Sequence, residues 1–233
     1  MELFSVGHSN YEMETFISLL RQHEITAVAD VRSHPYSRFL PHFNQVALKE
    51  YLAREGIRYV FLGQELGARP SNQECYFNGK AVYEKIASTD LFHEGIQRIL
   101  KGLKKYRISL MCAEKDPITC HRAILVCRYL RHFNFQINHI LKDGDLETHT
   151  HLEERMLIKH GFREFSEIQK GQAQLSLFAQ PEDNLPTKEE CLERAYQLQG
   201  NEIAYVDKRN DVYEQTSQSI HNRVHSKERS KVF

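Results

Sequence analysis

Apolar positions arrive along this chain in short bursts separated by amphipathic stretches, and that alternation predicts the fold. "ELFSVG", "ITAVADVR", "IRYVFLG", "RISLMCAE" and "FQINHIL" read as strands bounded by polar or turn-forming residues. Between the first two, "YEMETFISLLRQHE" puts Phe16, Ile17, Leu19 and Leu20 on one helical face, and "NQVALKEYLAREG" makes a second helix stopped by Gly56. A helical segment from about Ala81 to Tyr106, broken near Ser88, leads into the fourth strand, a helix from about Thr119 to His132 leaves it, and "HLEERMLIKHG" supplies a last one. Strands alternating with helices predict an α/β domain over residues 1–168, a mostly parallel open sheet with helices on both faces.

Two stretches depart from this rhythm. "QELGARPSNQECYFNGK" is a long polar insertion, the kind that is functional or mobile when it occurs in a compact domain. Beyond Gln169 the chain turns polar and proline-punctuated, so residues 169–233 read as a flexible linker and tail with a helix around "KEECLERAYQLQ".

Charge changes the picture by what it excludes. Thirty-one basic and 31 acidic residues cancel, so no global field draws the protein to nucleic acid or to a membrane, and any anion site must be built locally. Thirteen histidines make the charge unusually sensitive to mild acid. Five cysteines, an odd number with no dense framework and no leader before "MELFSVGHSN", predict a reducing, cytoplasmic setting. No apolar run approaches the roughly 18 residues of a spanning helix.

Three polar clusters follow strands, where ligands gather in open α/β sheets. In "VGHSN", Gly7 permits close backbone approach, and His8 with Ser9 can handle protons or meet an anion; the same letters also suit a turn and a helix cap. In "ADVRSHPYSRFLPHFN", Asp30 and Arg32 could pair with each other, while Arg32, Ser33, Ser37 and Arg38 are types that grip phosphate in a loop stiffened by Pro35 and Pro41. In "MCAEKDPITCHR", Glu114 leaves a strand, Thr119 is placed to cap a helix, and Cys120, His121 and Arg122 fall in its first turn, where the helix dipole favours a thiolate and backbone N–H groups suit phosphate.

Zinc on Cys112, Cys120, His121 and His8 is the rival reading of the third cluster. The C-x7-C-H spacing is not a usual knuckle and neighbouring helical residues point apart, so no metal or other cofactor is expected. Cys112 and Cys127 read as core thiols.

Taken together, "GHS", "DVRSxPxSR" and "MCAExxPxxCHR" resemble the signature of the domain-of-unknown-function 488 family, small bacterial and archaeal α/β proteins; "LGQELGARP" matches a further segment, with Ala68 where a second glycine is common. The resemblance spans about residues 1–165 and implies a site of His8, Asp30, Arg32, Ser33, Pro35, Ser37, Glu65, Gly67, Glu114, Cys120, His121 and Arg122. It implies no substrate. Outside the domain, "QLSLF" resembles the peptide that docks bacterial repair proteins onto the polymerase sliding clamp, with Leu175, Leu177 and Phe178 entering a pocket and Gln174 at its rim.

The residues therefore predict an enzyme acting on a nucleotide or nucleic acid in DNA repair or modification. Arg32, Arg38 and Arg122 hold phosphate, with Ser9, Ser33, Ser37, Glu65 and Gly67 around them, and His8, Asp30, Glu114, Cys120 and His121 supply acid, base or nucleophile. A basic neighbourhood would lower the Glu114 pKa and burial would raise it, and both readings stand at this stage. The alternative class is a non-catalytic nucleotide- or DNA-binding module recruited to the clamp.

Overall fold

The apolar bursts form one sheet, in the order β3-β2-β6-β1-β7-β8. The computed structural model describes residues 1–165 and 186–207. Strands β1 (Glu2–Gly7), β2 (Ala27–Asp30) and β3 (Arg58–Phe61) are followed by a small hairpin, β4 (Tyr76–Phe77) with β5 (Lys80–Ala81). Then come β6 (Ile108–Cys112), β7 (Gln136–Ile140) and β8 (Leu146–Thr148). All large-sheet neighbours are parallel except β8, which returns antiparallel on β7.

The helices are α1 (Met13–Gln22), α2 (Gln45–Arg54), α3 (Gly63–Leu66), α4 (Tyr83–Ala87), α5 (Asp90–Leu103), α6 (Arg128–Leu130), α7 (His149–Lys159) and α8 (Lys188–Ile203). Central strands send alternate side chains to opposite faces, as the pleat requires. Phe4, Val28 and Met111 pack with Phe16 and Leu20 of α1 and Leu48 and Leu52 of α2. Leu3, Ala29 and Leu110 join Phe92, Ile96 and Ile99 of α5, and Leu152 and Met156 of α7, on the other face. Helices on both faces of a mostly parallel sheet are thus the observed architecture. Among the described residues, no helix is long and apolar enough to cross a membrane.

Connectivity locates the functional end. The chain leaves β1 through α1 on one face to reach β2, and leaves β6 through a helical run on the other face to reach β7. The connections of adjacent β1 and β6 therefore diverge, and in open α/β sheets ligands gather at the carboxyl end where this happens. Register holds the exits level: Gly7 lies beside Cys112, and Asp30 beside Met111.

Two expectations change. The polar insertion holds α3 and the hairpin, and the helix expected in the tail is α8, packed into the domain through Cys191, Leu192, Ala195 and Tyr196. Residues 186–207 thus belong to the folded unit and are no part of a flexible tail. After α8 the chain reaches the hairpin, where Tyr205 O accepts from Ala81 N–H at 2.9 Å and Asp207 N–H donates to Gly79 O at 2.7 Å. Residues 174–178 lie outside the described residues.

Candidate active site

A cleft of about 300 Å³ opens beyond the carboxyl ends of β2 and β6. Arg32, Ser33, His34, Tyr36, Cys112, Glu114 and His121 line it, and Arg69, Tyr83 and Tyr205 complete its wall. The sequence reading lacked that wall. Arg69 and Tyr83 flank the hairpin in the chain and Tyr205 follows α8, so only the tertiary fold brings them to the crevice.

The site starts from backbone geometry. β6 ends at Cys112, and a Cβ on Gly7 would stand 1.8 Å from Glu114 O, so only glycine lets the loop carrying Glu114 cross β1. Asp116 caps the short turn Pro117–Thr119 by accepting from Ile118 N–H at 3.1 Å. Cys120 then has extended backbone, φ −131° and ψ 137°, while its carbonyl accepts from Ala123 and Ile124 N–H at 3.1 Å and its sulfur lies 3.4 Å from Arg122 N. Cys120, not Thr119, is therefore the cap of the following helix, which winds as π-helix from Arg122 to Cys127 before α6. A π turn is uncommon and recurs at functional sites.

This cap brings two neighbouring side chains together. Because the backbone changes conformation between Cys120 and His121, both aim at one point instead of diverging as on a helix. Glu114 Oε2 lies 3.0 Å from Cys112 Sγ and 2.9 Å from Cys120 Sγ, and Cys112 Sγ lies 3.6 Å from His121 Nδ1. On the far side of that ring, His121 Nε2 meets Val31 O at 2.9 Å. Since a carbonyl only accepts, Nε2 carries a hydrogen and Nδ1 is the atom offered to the cluster.

Electrostatics separates the two thiols. Burial works against a Cys120 thiolate, but donation from Cys112, the charge of Arg122 and the nearby His121 outweigh it and hold the thiol well below the usual range. Cys112 is pushed well up by burial and by Cys120. Burial and then Cys120 also raise Glu114, which settles the direction left open by the sequence. His121 is raised despite its burial, because Cys120 and Glu114 favour the imidazolium. Cys112 and Cys127 both sit in the core, as expected, and the Cys112 sulfur is in addition part of this cluster.

Other expected residues gather behind the cleft. Asp30 Oδ1 accepts from Arg32 N and Nε at 3.1 and 2.9 Å, its Oδ2 accepts from Arg32 Nη2 at 2.6 Å, and Tyr59 Oη donates to it at 2.8 Å. His8 stacks on Phe43 with centroids 4.2 Å apart, donates through Nδ1 to Ser9 O at 2.9 Å and faces Arg32 Nη1 at 3.2 Å. Burial, then the Arg32 charge, push His8 down to about 4, so it is neutral and braces Arg32. The Asp30–Arg32 pair that competed with an anion grip is present, yet Arg32 still lines the cleft.

The remaining residues divide by position. Gly67 packs under Ser33, whose Oγ accepts from Arg69 N–H at 3.0 Å, so these two set the wall. Ser37 Oγ accepts from Phe39 and Leu40 N–H, Glu65 pairs with Arg98, Ser9 bonds Asn10, and Arg38 is exposed; none of the four lines the cleft. Pro35 O accepts from Gln45 N–H and tethers the loop to α2.

Arg122 corrects an expectation. Its side chain is fully buried, Nη1 and Nη2 donating to Glu114 O at 2.7 Å and Lys115 O at 3.2 Å, and Nε facing Ser5 Oγ at 3.3 Å. The expected phosphate contact from Arg122 is replaced by a clamp on the Glu114 loop.

With the geometry in view, comparison adds a family. The model of the family "Domain of unknown function DUF488" matches residues 12–129, half of the chain. The chain belongs to this family. The matched span runs from Glu12, just after the His8 loop, through Asp30, Arg32, Glu114, Cys120 and Arg122. Neither curated proteins nor solved structures give a match.

Proposed function

We propose that this DUF488 member is an enzyme acting on a phosphate-bearing ligand of the nucleotide or nucleic-acid class, in DNA repair or modification. One observation carries the reading: the acid–base corner of Cys112, Glu114, Cys120 and His121 opens into the same cleft as Arg32 and Arg69. Arg69 is the better placed cation for an anion. It is exposed, its guanidinium carbon stands 4.4 Å from the Tyr205 ring centroid, and among the described residues it has no carboxylate partner. Tyr36, exposed at the cleft, offers a face on which a base can stack. Glu114, with its raised pKa, supplies or removes the proton at the mouth of the thiol corner.

The test is a screen for turnover across nucleotides and single- and double-stranded nucleic acids. Glu114→Gln should abolish turnover while ligand still binds, and Arg69→Ala should weaken binding about 10- to 100-fold, the loss of one charge-assisted contact. Binding of these ligands without turnover in the native protein would replace the enzyme by the non-catalytic module, and affinity unchanged in Arg69→Ala would remove phosphate from that wall. The clamp partner belongs to the same proposal and rests on the "QLSLF" sequence. Deleting residues 174–178 should abolish clamp pull-down without changing the circular dichroism spectrum, and retained pull-down would dismiss the motif.

A further inference from the structure

We infer that Cys112, Glu114, Cys120 and His121 form a tetrahedral metal site for zinc. Their four donor atoms all lie within 4.8 Å of one another, a cluster small enough to close around one ion. Two sulfurs, one imidazole nitrogen and one carboxylate oxygen form a donor set characteristic of zinc, whose bonds of about 2.0–2.3 Å place ligands within such a span. The sequence argument against zinc assumed that Cys120 and His121 diverge. The extended backbone of Cys120 removes that objection.

The surroundings suit an ion as well as the donors do. His121 gives its Nε2 hydrogen to Val31 O and presents Nδ1 inward, the outer-shell bond that fixes a metal-binding tautomer. The Arg122 N–H points at Cys120 Sγ from 3.4 Å, and the N-terminal end of the helix adds positive potential to the same thiolate. Two thiolates and a carboxylate carry three negative charges, zinc offsets two, and the buried Arg122 guanidinium beside them offsets the third. On binding, the ion takes the place of the protons shared among Cys112, Glu114 and Cys120, and these leave to solvent.

The three buried ligands are unequal to the fourth. Cys112, Cys120 and His121 are enclosed, whereas Glu114 is exposed at the cleft and is the ligand that water or substrate can displace. Three fixed ligands and one exchangeable position is the arrangement of catalytic zinc, with a Lewis acid facing the space between Arg32 and Arg69. The inference holds for whatever ligand fills that space, so its test needs no turnover.

Full-length protein, stripped with chelator under reducing conditions, should take up one equivalent of zinc and one of cobalt(II). The cobalt form should show the near-ultraviolet sulfur-to-cobalt band of thiolate ligation and the strong visible bands of tetrahedral geometry. Cys120→Ser and His121→Ala should each lower zinc affinity at least about 100-fold, while Cys127→Ala, a core thiol outside the set, should leave it unchanged. Should the variants fail to fold, the spectrum of native cobalt protein decides alone. Absence of stoichiometric uptake, a spectrum without the thiolate band, or full affinity in folded Cys120→Ser would overturn the site. Loss of the phosphate reading would leave these results untouched, and the reverse is equally true.

Discussion

Arg122→Met should lower the stability of the protein by about 3–5 kcal/mol, the range for removing one member of a buried charged network. The methionine keeps the volume and discards the donors. Glu114 O and Lys115 O then lose their partner, Ser5 Oγ loses a donor, and the acidic corner loses its buried counter-charge. Arg122→Lys should recover only part, because one ammonium cannot reach two successive carbonyls and a hydroxyl in the fixed fork of a guanidinium. Urea unfolding at neutral pH measures both variants. A loss below about 1 kcal/mol in Arg122→Met would show that the loop holds itself and that the clamp is not structural.

That prediction also shows where sequence reasoning stopped. A string of letters shows a cation after a cysteine and a histidine, and an anion site follows by type. It cannot show that the side chain turns inward, which depends on the Glu114 loop crossing β1 over Gly7. The parallel strands were legible because strands covered on both faces are continuous apolar runs, and "ELFSVG" coincides with β1 residue for residue. The hairpin and β8 were not, since two or three residues of mixed polarity carry no period. Within α8 the spacing of Cys191, Leu192, Ala195 and Tyr196 announces a helix with one apolar face, but the surface that receives it is a tertiary fact. For the same reason the third cluster was found as a unit, whereas Arg69 and Tyr205, brought to it by the hairpin and the return of α8, were missed.

The histidine content, in contrast, predicted acid sensitivity, and the structure supplies a mechanism. A one-way chain of hydrogen bonds runs behind the sheet from Arg122. Arg122 Nε donates to Ser5 Oγ, which lies 2.7 Å from His139 Nδ1; His139 Nε2 lies 3.0 Å from His149 Nδ1, and His149 Nε2 2.9 Å from Tyr196 Oη, whose hydroxyl donates to Glu153 at 2.7 Å. With both ends fixed as donor and acceptor, each histidine donates from Nε2 and accepts at Nδ1, so both are neutral. A second proton on His149 would face the hydrogen of His139. Burial, then the charge of Arg131, push His149 down to about 3, and burial, His149, Arg122 and Arg155 push His139 well down. Glu153 lies beside the chain with its own pKa raised by burial.

The sign follows from linkage. A histidine whose folded pKa is depressed contributes stability that is complete above the unfolded value of 6.5 and is lost as pH falls below it toward the folded value. Between about pH 7 and pH 5, His149 and His8 should each remove about 2 kcal/mol, near 4 together, since a full unit is worth about 1.4 kcal/mol. His139 adds to that loss, and His121, whose pKa is raised, opposes it because its contribution grows as pH falls. Urea titrations at the two pH values measure the difference. His149→Gln, which keeps one donor and one acceptor but cannot ionise, should flatten the dependence by about 2 kcal/mol, and a variant as acid-sensitive as the native chain would place the liability elsewhere. The corner and the chain meet at Arg122: on one side the guanidinium favours the Cys120 thiolate, on the other it starts a row of groups that must remain neutral. Mild acid therefore loosens the protein through its neutral histidines, His139 and His149 in the chain and His8 beside Arg32, while the thiol corner still holds its counter-charge.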